Sequence, residues 1–84
     1  MLRETVVVMG KDGLHARPAA EFVQLCRRLK SEVKLEKGGV SVSGKSIIGI
    51  MSLGVSKGDE ITAVVDGEDE AAAIEEIKEL LNKE

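Results

Sequence analysis

Aromatic residues are almost absent from this chain of 84 residues, in which Phe22 is the only one. Proteins that bind single-stranded nucleic acid stack its bases on aromatic side chains, and this chain has almost none for that role. The formal net charge of -3 also provides no excess of positive charge for binding a polyanion. We therefore expect no nucleic-acid partner.

Cysteine and histidine occur once each, as Cys26 and His15. A lone cysteine forms no internal disulfide, and no paired spacing of metal ligands is present, so we expect neither a metal nor another cofactor. No apolar run approaches the roughly 18 residues that span a membrane, and Arg3 and Glu4 place charge where a signal peptide is apolar. These features predict a cytoplasmic protein without direct membrane insertion.

Hydrophobic periodicity predicts a mixture of strands and helices. Apolar residues alternate in the predicted strands and recur at helical spacing in the predicted helices. The predicted order is a strand over 5–9, a helix over 16–29, strands over 31–36 and 40–42, a short helix over 46–53, a strand over 61–65 and a helix that includes 71–81. Because no linker, repeat or low-complexity tract interrupts it, we expect a single domain over 1–84. The economical packing is α+β, with two layers and helices on one face of one sheet.

His15 lies in the stretch Gly13–Ala19, between a glycine-containing turn and the start of the first predicted helix. Unpaired backbone N–H groups and the positive end of the helix dipole stabilise an anion at such a position. Pro18 costs little in a first helical turn, and the guanidinium of Arg17 matches the oxygens of a phosphate. A neutral imidazole is a nucleophile and can carry a phosphoryl group. The alternative is an ordinary N-cap or surface histidine beside an ordinary helix charge.

Two segments resemble the signatures of a known family. Gly13–Ala19 resembles the active-site signature of HPr, the histidine-containing phosphocarrier of the bacterial phosphoenolpyruvate-dependent sugar phosphotransferase system. Lys45–Gly54 resembles the second signature of the same family. The resemblance extends over essentially the whole chain. It implies an α+β open-faced two-layer sandwich, in which three helices cover one face of an antiparallel four-stranded sheet.

The resemblance also implies a role for the histidine. His15 would accept a phosphoryl group, as a pros-phosphohistidine, from enzyme I charged by phosphoenolpyruvate, and would pass it to sugar-specific IIA domains. Arg17 would neutralise the phosphoryl oxygens, and Ala16 and Pro18 would support the phosphate at the helix start. The protein would be a phosphoryl-group carrier and not an enzyme, and we expect a monomer because a carrier offers one face to successive partners. Asp12 nearby could repel the phosphate or polarise the ring, and the sequence leaves both open.

Ser46 resembles the regulatory serine that an ATP-dependent HPr kinase/phosphorylase modifies in many Gram-positive relatives. A catabolite-control transcription factor is then a further expected partner. A phosphate on Ser46 would be favourable at the N-terminus of a helix, while placing negative charge beside the surface that enzyme I uses. Regulation would then act by electrostatic obstruction and not by refolding.

The short helix after Ser46 can bury only one side, so part of its apolar set must face water. We expect Ile50 and Leu53 to lie in the core. The predicted partner-docking residues are Ile47, Ile48 and Met51, completed by Ala16 and Ala20. Core packing is the alternative for the first three of these.

Other functions fit parts of the sequence. Residues 39–46 match the nucleotide-binding pattern G-x-x-x-x-G-K-S/T, but their alternation predicts a hairpin strand, so we reject ATP binding there. An HPr-like regulatory module that binds a transcription factor would lack the active histidine. A carrier of a nitrogen-regulating phosphotransferase branch would keep His15, although the Ser46 signature favours the sugar branch. A ferredoxin-like ligand-binding or RNA-binding domain fits the element order but not the scarcity of aromatics.

Overall fold

Seven secondary-structure elements follow one another in the predicted order in the computed structural model, which describes residues 1–83. They are β1 (Leu2–Val7), α1 (Ala16–Arg28), β2 (Glu32–Lys37), β3 (Val40–Ser43), α2 (Ile47–Ser52), β4 (Glu60–Asp66) and α3 (Glu70–Leu81). None of the helices in this part of the chain is long and apolar enough to cross a membrane. The predicted alternation of strands and helices is confirmed.

The four strands form one antiparallel sheet in the order β1-β4-β2-β3. Because side chains alternate across a sheet, one face carries buried residues such as Leu35, Ala63 and Val65. This face packs with the buried sides of the three helices into one hydrophobic core. On the opposite, polar face, Arg3 and Glu36 form an ion pair of 2.8 Å. The α+β open-faced sandwich, with helices on one face of an antiparallel sheet, is confirmed.

β1 lies earlier in the chain than predicted, since the prediction covered 5–9 and the strand spans Leu2–Val7. The strand accommodates its two charged residues, because Arg3 lies on the polar face of the sheet and Glu4 pairs with Lys78 of α3 at 3.2 Å. After β1 the chain leaves the sheet, and the backbone N–H of Met9 donates to a carbonyl at the end of α3 at 3.0 Å. The apolar run therefore marks the end of the strand and the turn away from it.

α1 buries the face that its periodicity predicts. The buried residues are Ala19, Phe22, Val23, Leu25 and Cys26. Burial raises the pKa of the Cys26 thiol to about 12, so the reactive thiolate is hardly formed near neutral pH. Cys26 therefore packs as a small apolar residue, and the core holds α1 in place directly after His15.

Asp69 joins the start of α3 to the loop between α1 and β2. It is the N-cap of α3, and its two carboxylate oxygens accept the backbone N–H groups of Lys30 and Ser31, each at 2.9 Å. The hydroxyl of Ser31, which is buried, also donates to Asp69. These hydrogen bonds, and most of all the one from the Ser31 hydroxyl, hold the pKa of Asp69 below its ordinary value. The ionised carboxylate therefore contributes to holding the helix layer together.

Replacing Asp69 with asparagine is expected to lower the free energy of unfolding near neutral pH. A carboxyl group with a lowered folded pKa adds stability above its unfolded pKa, and this stability is lost as the pH falls through the folded pKa. The deficit of Asp69→Asn should thus be largest at about pH 7 and shrink below about pH 4. Urea unfolding at about pH 7 and again below about pH 4 measures this deficit. Glu76→Gln, on the exposed side of α3, is the matched control. A deficit independent of pH would contradict this role.

Candidate functional site

His15 stands at the start of α1 with its side chain in solvent. It is the N-cap of the helix, with an extended backbone (φ -112°, ψ 155°), and its side chain makes no capping hydrogen bond. Leu14, directly before it, is buried with 2% exposure, whereas His15 itself is exposed. The imidazole is therefore accessible to a partner, while the backbone that carries it is anchored in the core.

Ala16, the first residue of α1, has a φ of 47° and is the only non-glycine residue among 1–83 with a positive φ. An L-residue in the left-handed region costs about 1–2 kcal/mol. Backbone strain of this kind gathers at functional sites, where the surrounding structure maintains it. The strain lies beside His15 on an exposed surface, which distinguishes this helix start from an ordinary one.

Arg17 and Pro18 follow in the first turn of α1, which contains no acidic residue. Pro18 lies where the backbone N–H groups of a helix have no partner, so its missing N–H breaks no helical bond. The positive end of the helix dipole is not neutralised within this turn. Arg17 is exposed, so its guanidinium can bind an anion that a partner brings to the helix start.

A groove beside the site is lined by the charged residues Lys11, Asp12, Arg17, Glu21 and Lys83, together with uncharged residues of the segment 8–18 and of α3. His15 is not among its lining residues. Asp12 thus shares a surface with Arg17, and both are exposed. Within residues 1–83, no group of three or more His, Cys, Asp or Glu side chains could hold a metal ion.

The loop of residues 54–59, called the supporting loop below, lies under the segment that carries His15. The carbonyl oxygen of Val55 accepts a hydrogen bond from the backbone N–H of Leu14 at 3.1 Å. A Cβ placed on Gly13 would lie 2.1 Å from the same oxygen, so the two backbones are in direct contact. None of these contacts was predicted, because segments so distant in sequence leave no local pattern. The glycines of both segments were the only available signal of a close backbone approach.

Ser46 is the N-cap of α2, as predicted. Its Oγ accepts a hydrogen bond from the backbone N–H of Gly49 at 3.0 Å. The side chain is partly exposed, so the hydroxyl is positioned at the helix start and within reach of solvent. A negative charge placed there would lie at the positive end of the helix dipole.

α2 divides its apolar residues between the core and the solvent, as its short length requires. Ile50 is fully buried, and Leu53 packs partly buried against the core. The exposed group, called the apolar patch below, consists of Ile47 (40% exposed), Ile48 (80%) and Met51 (38%). Of the two alanines predicted beside it, Ala16 is exposed and Ala20 is partly buried. α1 and α2 pack against each other, so these exposed residues and His15 lie on neighbouring helices.

The segment that matches a nucleotide-binding pattern, residues 39–46, runs through β3 at the edge of the sheet. Gly38 and Gly39 form the turn between β2 and β3, with φ values of 57° and 83°. A nucleotide-binding loop follows a strand of a parallel sheet, whereas every strand pairing among the residues described is antiparallel. The structure therefore supports the rejection of ATP binding at this segment.

Comparisons with known proteins agree on one family. A family model described as PTS HPr component phosphorylation site matches residues 2–83. The HPr-like protein Crh of Bacillus subtilis is 49% identical over 84 residues, which cover 100% of this chain and 99% of the relative. A crystal structure of the phosphocarrier protein HPr from Bacillus anthracis has a TM-score of 0.94 at 41% identity, covering 96% of each chain. A crystal structure of Crh from Bacillus subtilis, described as a dimer with a swapping domain, has a TM-score of 0.77 at 49% identity, covering 96% of this chain and 93% of that one.

Proposed function

This chain belongs to the HPr family of phosphocarriers, and we propose that it accepts a phosphoryl group on His15 from enzyme I and passes it to sugar-specific IIA domains. The observation that carries the proposal is the position of His15, exposed at the N-cap of α1 with a side chain that makes no capping hydrogen bond. Because this imidazole neither caps the helix nor packs in the core, its lone pair is not engaged in holding the helix start. That lone pair is available to attack phosphorus.

The transfer we propose needs positioning and charge stabilisation more than covalent help from other side chains. The pros nitrogen of the neutral imidazole forms a bond to phosphorus as the bond between phosphorus and the donor group of enzyme I breaks. The electron pair of the broken bond stays with the donor, and the reverse exchange delivers the phosphoryl group to a IIA domain. Arg17 and the unpaired backbone N–H groups in the first turn of α1 stabilise the phosphoryl oxygens, and Ala16 and Pro18, the latter without an N–H of its own, support that turn.

The apolar patch of Ile47, Ile48 and Met51 is the proposed docking surface for both partners, with Ala16 and Ala20 beside it. Exposed apolar groups, here on a helix that packs against the helix that His15 caps, are typical of protein contacts. A carrier must present one surface first to a donor and then to an acceptor, and we therefore propose that the working form is a monomer.

Incubation with phosphoenolpyruvate, magnesium and purified enzyme I tests the proposal directly. Intact mass should show the gain of one phosphoryl group, and acid treatment should remove it, as expected for a phosphoramidate. Addition of a IIA domain should then discharge the protein. Absence of any gain, with an enzyme I shown to be active on another carrier, would refute the proposal.

A regulatory module is the second candidate function, because HPr-like proteins named Crh are among the most similar relatives, and a solution structure of Crh describes it as the catabolite repression HPr of Bacillus subtilis. Such a module would bind a catabolite-control transcription factor after phosphorylation of Ser46 and would not relay phosphate. The presence of His15 and Arg17 favours the carrier, since the family resemblance implies that such modules lack the active histidine. A carrier for a nitrogen-regulating branch would differ only in the IIA domain that discharges it, so the same assay with both kinds of acceptor separates the branches.

Replacing Ser46 with aspartate is expected to slow phosphorylation by enzyme I. The added charge lies at the N-cap of α2, next to Ile47 of the apolar patch, where a docked partner would have to cover it and remove its water. We expect kcat/KM for enzyme I to fall roughly tenfold, with little loss of stability because aspartate is also a good N-cap. Ser41→Asp, which adds the same charge on exposed β3, is the matched control. Equal rates for the two variants would contradict this account.

A further inference from the structure

Lys37, the last residue of β2, joins both ends of the supporting loop with one ammonium group. Its Nζ donates to the carbonyl oxygen of Gly54 at 2.8 Å and to Oδ2 of Asp59 at 3.0 Å. The two side chains are only 30% and 35% exposed, so water screens the pair less than an ordinary surface ion pair. A side chain of β2 thereby closes the supporting loop, which lies between α2 and β4.

Asp59 in turn fixes the conformation of the loop between those ends. Its Oδ2 accepts the backbone N–H of Ser56 at 2.8 Å, and its own backbone N–H donates to the carbonyl of Ser56 at 3.0 Å. The hydrogen bond from Ser56 and then the one from Lys37 hold the pKa of Asp59 below its ordinary value. The carboxylate is therefore ionised, and ready to bind Lys37, throughout the neutral range.

The supporting loop carries the segment that precedes His15 through backbone hydrogen bonds. Val55, fully buried, accepts the N–H of Leu14 at 3.1 Å. Val8 exchanges two further bonds with the loop, donating to the carbonyl of Asp59 at 2.9 Å and accepting from the N–H of Gly58 at 2.7 Å. Both ends of the turn between β1 and α1 are thus attached to the loop that Lys37 closes.

The side chain of His15 makes no capping hydrogen bond that would tie it to the start of α1. Its position therefore depends on the backbone on both sides, which is α1 after it and Leu14 before it, and the backbone N–H of Leu14 is held by Val55. We infer that Lys37 is a positioning residue for phosphoryl transfer, which acts through the supporting loop and without touching His15. This inference rests on the proposed carrier function and adds a residue that neither signature segment contains.

The test compares Lys37→Met with Lys78→Met, because each removes one lysine that pairs with an acidic side chain. Lys78 binds Glu4 at 3.2 Å with side-chain exposures of 39% and 40%, close to those of the Lys37 pair, and it lies on α3. The first readout is amide hydrogen exchange at Leu14, which reports the bond to Val55 whether or not the protein carries phosphate. The second is the division between kcat and KM for phosphorylation by enzyme I.

In Lys37→Met we expect Leu14 to exchange about tenfold faster than in the unsubstituted protein, relative to amides in the centre of the sheet. We expect kcat to fall about tenfold with KM for enzyme I nearly unchanged, since the docking surface is intact and the nucleophile is misplaced. Lys37→Arg should restore most of the protection of the Leu14 amide and most of kcat, because a guanidinium can still bind Asp59. Lys78→Met should change neither.

Unchanged exchange at Leu14, or an equal fall of kcat in Lys78→Met, would overturn the inference. If Lys37→Met does not fold, Asp59→Asn provides the same test, since asparagine can still accept the N–H of Ser56 but attracts Lys37 less. A protein that gains no phosphate at all refutes the carrier function itself, and Leu14 exchange then still shows whether Lys37 holds the loop. The two failures are therefore distinguishable.

Discussion

Replacing His15 with alanine is expected to abolish phosphoryl transfer and to leave the free energy of unfolding nearly unchanged. The chain contains no other histidine, so no second imidazole can take over, and transfer should fall by at least about a thousandfold. Stability should change by less than about 0.5 kcal/mol, because the side chain is exposed and makes no capping hydrogen bond. Intact mass after incubation with enzyme I and phosphoenolpyruvate gives the first quantity, and urea unfolding gives the second.

Lys11→Ala is the matched control for that substitution, since Lys11 is exposed in the turn that leads to the same site. It removes a side chain from the same segment without removing the nucleophile, so we expect it to gain phosphate as the unsubstituted chain does. Acid-labile phosphate on His15→Ala would contradict the proposal. It would mean that another group accepts the phosphoryl, and the exposed serines would then be the groups to examine.

The parts of the site that could be predicted from the sequence are those that local chain chemistry determines. A histidine before a proline-containing first turn predicts a helix start within a few residues, and α1 begins directly after His15. A serine before a short apolar segment predicts an N-cap, and Ser46 accepts the N–H of Gly49. Each prediction depends only on neighbours within one helical turn.

The parts that could not be predicted depend on contacts between distant segments. In the sequence, Lys37 is an ordinary charged residue before the glycines of a turn. Only the fold brings its ammonium group to Gly54 and Asp59. The positive φ of Ala16 leaves no trace in the sequence, because alanine is the best helix former and seldom adopts the left-handed region. β1 was misplaced because a charged residue facing α3, Glu4, looks exposed until its partner is known.

Gly13→Ala is expected to destabilise the protein more than Gly38→Ala, the same change at a turn glycine without a packed neighbour. Gly13 has a φ of 60°, and a Cβ there would lie 2.1 Å from the carbonyl oxygen of Val55 and 2.9 Å from the Cα of Ser56. The left-handed backbone alone costs alanine about 1–2 kcal/mol. Forcing two backbones apart at a packed contact adds about 1–3 kcal/mol. We therefore expect a total loss of about 2–5 kcal/mol in urea unfolding.

Gly38→Ala separates the two contributions, because Gly38 has a φ of 57° and a Cβ there meets nothing within 4 Å. Its loss should be only the conformational part, about 1–2 kcal/mol. The excess at Gly13 then measures the contact between the His15 segment and the supporting loop. Equal losses at the two glycines would show that the loop yields freely to the added methyl group. A loop that yields so readily could not hold His15 in place, so the same result would also count against a positioning role for Lys37.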